Sequence, residues 1–128
     1  MEKRFQTPHT QKTPFTDFNA DTGDFAIRGK SVPDNAAIFY EPLFEWLDQY
    51  SQSPAKNTIV TVQFEYFNTS TAKFLLDMFS RLELLQASKK SEVVVNWQYS
   101  DEDEDIKETG EDYQSICKIP FNITPITK

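Results

Sequence analysis

The sequence is short of several residues on which chemistry often depends. Its one cysteine, Cys117, cannot form a disulfide within the chain, and a half-buried strand residue is the plain reading of it. Its one histidine, His9, lies in a polar N-terminal arm, where a surface or tag-like role is the default and no Ser–His or Cys–His pair has a frame. Three glycines are too few for a glycine-rich nucleotide loop. Gly29-Lys30-Ser31 ends like a P-loop, but that motif needs glycine where Asp24 stands, so the match fails. No apolar run approaches membrane-spanning length, and no N-terminal signal sequence is visible. Together with the scarcity of cysteine, this leads us to expect a reducing, cytoplasmic setting.

Positive charge is scarce too: 13 Lys and Arg face 20 Asp and Glu, a net charge of −7. The imbalance is local. Residues 101–112 hold eight acids and one base, whereas the remaining acids and bases cancel. Nucleic-acid binding and a polybasic membrane anchor are therefore not expected.

What the chain does have is aromatic mass. Aromatics make up 14% of the 128 residues, and eleven of them are Phe, so rings supply much of the core of what reads as one domain spanning 1–128. Residues 1–12 read as an extended arm or edge strand. Residues 14–30 read as a hairpin turning at Asp21-Thr22-Gly23. Ser31-Val32-Pro33-Asp34 fits a capping box for a short helix to Tyr40, which Pro42 breaks or restarts; Leu43, Trp46, Leu47 and Tyr50 then form a buried stripe. In 58–66, Val60, Val62, Phe64 and Tyr66 alternate onto one face of a strand; in 92–99, Val93, Val95, Trp97 and Tyr99 do the same. A helix over 69–88 joins them, so 58–99 reads as a crossover between parallel strands. A last strand is expected over 115–121. The fold class is α/β: a small mixed sheet of about 4–5 strands with helices mainly on one face.

The stretch around which the rest is organised is Phe67-Asn68-Thr69-Ser70-Thr71, where a strand ends and a helix begins. Helix starts carry unpaired N–H groups and a partial positive charge, which suit a phosphate. Asn68, Thr69, Ser70 and Thr71 are each able to cap, and capping explains one of them rather than four. We read Thr69 as the switch residue; a cap is its plainer role. In the helix, Ala72, Leu75, Leu76, Phe79 and Leu82 share an arc expected to face the sheet, while Phe74, Met78 and Leu85 lie on an adjacent one. Phe74 and Met78 are candidates for a partner surface beside the switch, with broad core contact as the alternative.

Asp101, Asp103 and Asp105 have the first spacings of a calcium loop, but Ile106 replaces its glycine, Asp112 its final glutamate, and a strand rather than a helix precedes it. A solvated acidic loop is the plain reading of 100–113, and an electrostatic docking face for a basic partner is the functional one. Asn68-Thr69-Ser70 and Asn122-Ile123-Thr124 match glycosylation sequons, which have no role in a cytoplasmic protein.

Several blocks resemble the SiaC family of bacterial regulatory phosphoproteins. They are Thr13-Pro14; the run from Phe25 through Arg28-Gly29-Lys30-Ser31-Val32-Pro33-Asp34 to Ala36; Phe39-Tyr40-Glu41-Pro42 with Trp46-Leu47 and Tyr50; Glu65-Tyr66-Phe67-Asn68-Thr69-Ser70-Thr71; Trp97-Gln98-Tyr99; and Asp101–Asp105 with Gly110-Glu111-Asp112. Lys30 stands where arginine is expected and Thr71 where serine is common. The resemblance implies a STAS-like fold; the lack of paired histidines, an activated nucleophile and a phosphate loop argues separately against an enzyme, and no cofactor is expected. The resemblance also implies phosphorylation of Thr69 by a cognate SiaB-like Ser/Thr kinase, with Ser70 and Thr71 as neighbours in recognition, and dephosphorylation by a SiaA-like, PP2C-type phosphatase. It further implies that the unphosphorylated form binds and activates a SiaD-like diguanylate cyclase, with output in cyclic di-GMP and biofilm or aggregation. The competing readings are an acidic metal- or small-ligand-binding domain or enzyme with its site near 101–112, and a structural adaptor in which Thr69 only caps.

Overall fold

The structure, a computed structural model, describes residues 1–127. In chain order its elements are β1 (Arg4–Thr7), β2 (Phe15–Asn19), β3 (Asp24–Ser31), α1 (Ala36–Tyr50), β4 (Asn57–Phe67), α2 (Thr69–Ala87), β5 (Glu92–Ser100), α3 (Glu104–Ile116) and β6 (Phe121–Ile126). The six strands form one sheet in sequence order, one strand more than the expected four to five. β1, β2 and β3 pair antiparallel; β3, β4, β5 and β6 pair parallel. Each parallel step needs a crossover, and α1, α2 and α3 supply them in turn. All three steps advance the same way across the sheet, so the right-handed rule puts all three helices on one face.

Burial follows that arrangement. Thr58, Val60, Val62 and Phe64 of β4 are buried while Asn57, Ile59 and Glu65 are exposed. Val93, Val95, Trp97 and Tyr99 of β5 point the same way. Tyr66 does not continue the alternation. The β3–β4 register slips between Gly29 and Lys30, which pair with Phe64 and Tyr66, so Glu65 is skipped. Such a bulge reverses the facing of every later side chain. Tyr66 is 58% exposed, and Phe67 turns inward to lie 5.2 Å from Phe64 and 6.2 Å from Trp97.

Five other expectations are corrected. Ser31 is not a helix cap: it is the buried last residue of β3, and Asn35 caps α1 by accepting the Ile38 N–H at 3.4 Å. Pro42 does not break α1, which runs through it. Pro42 and Ile38 are both exposed, so the Ile38 carbonyl that loses its N–H partner faces water, while Tyr40, Leu43, Trp46, Leu47 and Tyr50 are buried on the inner side. The acidic segment is not a loop but runs into α3. Asp103 caps it, accepting the Ile106 N–H at 3.0 Å, and Glu104 and Asp105 occupy its first turn, where negative charge suits the helix dipole. The last strand accordingly starts at Phe121, and Cys117 is the half-buried residue ending α3, not part of a strand.

Gly110 explains how α3 reaches the sheet. A Cβ there would meet Trp97 Cδ1 at 2.4 Å, so the indole lies directly on the helix backbone and donates to the Ile106 carbonyl at 3.0 Å. Arg81 ties α2 to α1: it bonds both carboxylate oxygens of Asp48 at 2.7 Å and lies 4.5 Å over the Phe44 ring.

Candidate functional site at the start of α2

Parallel strands with helical crossovers bring their C-terminal ends to one edge, where ligands of such sheets commonly bind. Here that edge gathers the ends of β3, β4, β5 and β6 and the loop between β1 and β2. Thr69 lies on it as the first residue of α2.

The cap is Asn68. Its side-chain oxygen accepts the Thr71 N–H at 3.0 Å and the Ser70 hydroxyl at 3.0 Å, and its carbonyl accepts the Ala72 N–H at 3.0 Å. Ala72 makes the first intrahelical bond, so the amides of Thr69 and Ser70 precede the helix ladder. Thr69 and Ser70 are exposed, and the Thr69 hydroxyl takes no part in these bonds. Exposure, a free hydroxyl and neighbouring unladdered amides are what a phosphate-accepting residue needs. Lys73, exposed one turn further on, adds a positive charge on the same helix.

Thr71 is different. It is fully buried, which removes it from any surface that a modifying enzyme reads on the folded chain. Its hydroxyl donates to the Ser31 carbonyl at 3.0 Å and lies 2.8 Å from the Ser31 hydroxyl, which lies 2.7 Å from the hydroxyl of Tyr40. Each hydroxyl has one proton, so the order follows. Thr71 gives its proton to a carbonyl and must accept from Ser31 Oγ; Ser31 must then accept from Tyr40. Burial raises the Tyr40 pKa to about 12, which keeps it protonated and able to start this circuit. The Ser31 carbonyl also accepts the Asn68 N–H at 3.1 Å. From the other side, Tyr113 of α3 donates to the Ala72 carbonyl at 2.9 Å. Sequence reasoning missed Ser31 and Tyr40 as parts of this site; the only signal was the position of Tyr40 on the inward stripe of α1.

Met78 is 1% exposed and packs in the core, so it offers no partner surface. Its arc and that of Leu85 face inward, whereas Leu76 is 40% exposed: the helix is rotated about its axis from the expected facing because α1 as well as the sheet packs against it. Phe74 is half-buried, stacked on Tyr40 at 5.4 Å and on Phe44 at 5.9 Å. Asp101 and Asp105 are exposed; Asp103 is engaged as the α3 cap. Among the described residues, no group of three or more His, Cys, Asp or Glu side chains is placed to hold a metal ion. His9 lies against Gly29, whose absent Cβ leaves the space that the imidazole Cδ2 occupies; a Cβ there would lie 2.7 Å from it. Among the described residues no helix is long and apolar enough to cross a membrane.

Known proteins share this fold. A protein of Pseudomonas aeruginosa (strain UCBPP-PA14), itself uncharacterized, is 25% identical over 116 residues, 91% of either chain. The crystal structure of apo-SiaC from Pseudomonas aeruginosa superposes with a TM-score of 0.88 at 23% identity, covering 96% of this chain and 99% of that one. SiaC in its complex with the diguanylate cyclase SiaD, of which it is described as the activator, superposes with a TM-score of 0.89 at 24% identity, covering 95% of this chain and 99% of that one. The sequence pattern of the SiaC family regulatory phosphoproteins matches residues 7–126, and this chain therefore belongs to that family of regulators, which are not enzymes.

Proposed function

We propose that the chain is a partner switch set by reversible phosphorylation of Thr69. The Thr69 hydroxyl oxygen attacks the terminal phosphorus of a nucleoside triphosphate on a cognate Ser/Thr kinase. The new O–P bond forms as the diphosphate leaves, and the hydroxyl proton passes to a base of the kinase. Water, activated on a PP2C-type phosphatase, reverses the modification and releases inorganic phosphate. The unphosphorylated form binds and activates a diguanylate cyclase in the cytoplasm, so output is cyclic di-GMP and, through it, biofilm or aggregation behaviour.

The observation that carries this reading is the exposed Thr69 hydroxyl at the start of α2, relieved of capping by Asn68, in a family of regulatory phosphoproteins. The activator role of the SiaC of Pseudomonas aeruginosa supports the choice of effector. A phosphate there adds nearly two negative charges to the strand-end edge that also carries the exposed Asp101. The helix start tolerates that charge locally, while an apolar or acidic partner face is repelled. The test is binding of a SiaD-like cyclase to wild type, Thr69→Ala, Thr69→Asp and the phosphorylated form. Thr69→Ala is expected to bind like wild type, and the two charged forms at least about tenfold more weakly, or ~1.4 kcal/mol. Equal affinity in all four would overturn the proposal.

A further inference from the structure

We propose that the buried circuit Tyr40–Ser31–Thr71 is a latch that keeps the Thr69 turn folded and so sets how readily that turn opens for modification. The consequence for modification rests on the phosphorylation of Thr69 proposed above; the latch itself does not.

The turn has little intrinsic reason to be helical. Asn68, Thr69, Ser70 and Thr71 all rank low in helix propensity, and their side chains compete for backbone bonds. Its shape therefore depends on what it is tied to. Ser31 provides the tie across 40 residues of sequence: its carbonyl accepts both the Asn68 N–H at 3.1 Å and the Thr71 hydroxyl at 3.0 Å, and its hydroxyl donates to Thr71 at 2.8 Å. Tyr40 closes the circuit from α1 and also stacks on Phe74, one turn along α2. All three residues are fully buried, so each lost bond leaves a polar group without water to replace it. Thr69 is exposed in the folded turn, but an enzyme that takes it up as part of an extended segment has to lift 68–71 off the body and break this circuit first.

The molecule contains its own control. Tyr50, ten residues along α1, lies 2.8 Å from the Thr58 hydroxyl, which lies 2.7 Å from that of Ser91. This second buried circuit has the same composition and sits at the opposite edge of the sheet, where β4 and β5 begin. It ties α1 to the sheet but does not touch the Thr69 turn.

The experiment measures amide hydrogen exchange and the rate of Thr69 phosphorylation by the cognate kinase in wild type, Thr71→Val, Thr71→Ser, Ser31→Ala and Thr58→Val. Thr71→Val keeps the shape and removes the hydroxyl. It is expected to speed exchange of the Asn68, Thr71 and Ala72 amides by about tenfold or more, and to speed phosphorylation with it. Ser31→Ala is expected to act in the same direction and Thr71→Ser to restore both rates. Thr58→Val is expected to change these amides only as far as global stability changes. Wild-type exchange at the turn in Thr71→Val, or equal acceleration by Thr58→Val, would overturn the latch. Faster exchange with an unchanged phosphorylation rate would overturn its gating of modification. Faster exchange in a chain whose Thr69 no kinase modifies would support the latch and overturn the switch reading alone.

Discussion

Substitution of Asn68 and Thr69 in turn separates a cap from a switch. Asn68 satisfies the Thr71 N–H with its side chain at 3.0 Å; Thr69 satisfies nothing in the turn. Replacing a capping Asn by Ala costs about 1 kcal/mol, within a range of about 0.5–2. Asn68→Ala also frees the Ser70 hydroxyl, but Ser70 is exposed and water takes its place. Thr69→Ala at the first helical position removes no bond and gains helix propensity, so its effect is expected within about 0.5 kcal/mol of zero, on the stabilising side. For a chain of 128 residues, 1 kcal/mol displaces the thermal midpoint by about 4 °C. With a urea slope of about 2 kcal/mol/M it moves the denaturation midpoint by about 0.5 M. Paired urea titrations followed by far-UV circular dichroism resolve such a difference. A loss in Thr69→Ala as large as that in Asn68→Ala would refute the assignment of the cap and return Thr69 to a structural role.

Two further tests address the packing that holds the site. Gly110→Ala puts a Cβ within 2.4 Å of the Trp97 ring, so α3 has to move off the sheet; a loss of about 1–3 kcal/mol is expected in denaturant titration, and a change below 0.5 would show that α3 does not rest on the indole. Burial raises Tyr40 and Tyr113 to about 12 from an ordinary value of 10, so the stability they contribute is fully present below about pH 10 and is lost as pH rises towards 12. Spectrophotometric titration should find at least two of the five tyrosines ionising late or only with unfolding; all five ionising near pH 10 with the fold intact would contradict their burial.

Legibility differed between elements for physical reasons. The hairpin and the central strands were readable because alternation in β2 to β5 is a property of neighbouring residues, and the limits of α2 were readable from its polar start and apolar period. α3 was obscured because only Ile106 and Tyr113 supply its apolar stripe, and Gly110 between them reads as a breaker until Trp97 is seen against it. An acidic N-cap followed by acids in the first turn was the available signal. Pro42 read as a break because the penalty of proline is local, whereas the burial that outweighs it is not.

By itself the sequence determined an α/β chain with Thr69 at a strand-to-helix junction, an acid-rich segment confined to 101–112, and the blocks that place it among the SiaC regulators. Those are short-range facts, written in the period, the turn chemistry and the order of side chains. The tertiary structure alone decided which of four similar polar residues caps, which is exposed and which is buried. Asn68 caps, Thr69 faces solvent, and Thr71 is drawn inside because Ser31 and Tyr40, distant in sequence, converge on it. It also decided that Met78 belongs to the core and that Tyr66 faces out, the first by how α2 rests against the sheet and α1, the second by the slipped register after Phe64. A hydroxyl that can cap, accept phosphate or close a buried circuit looks the same along the chain, and only its non-local partners choose among those roles.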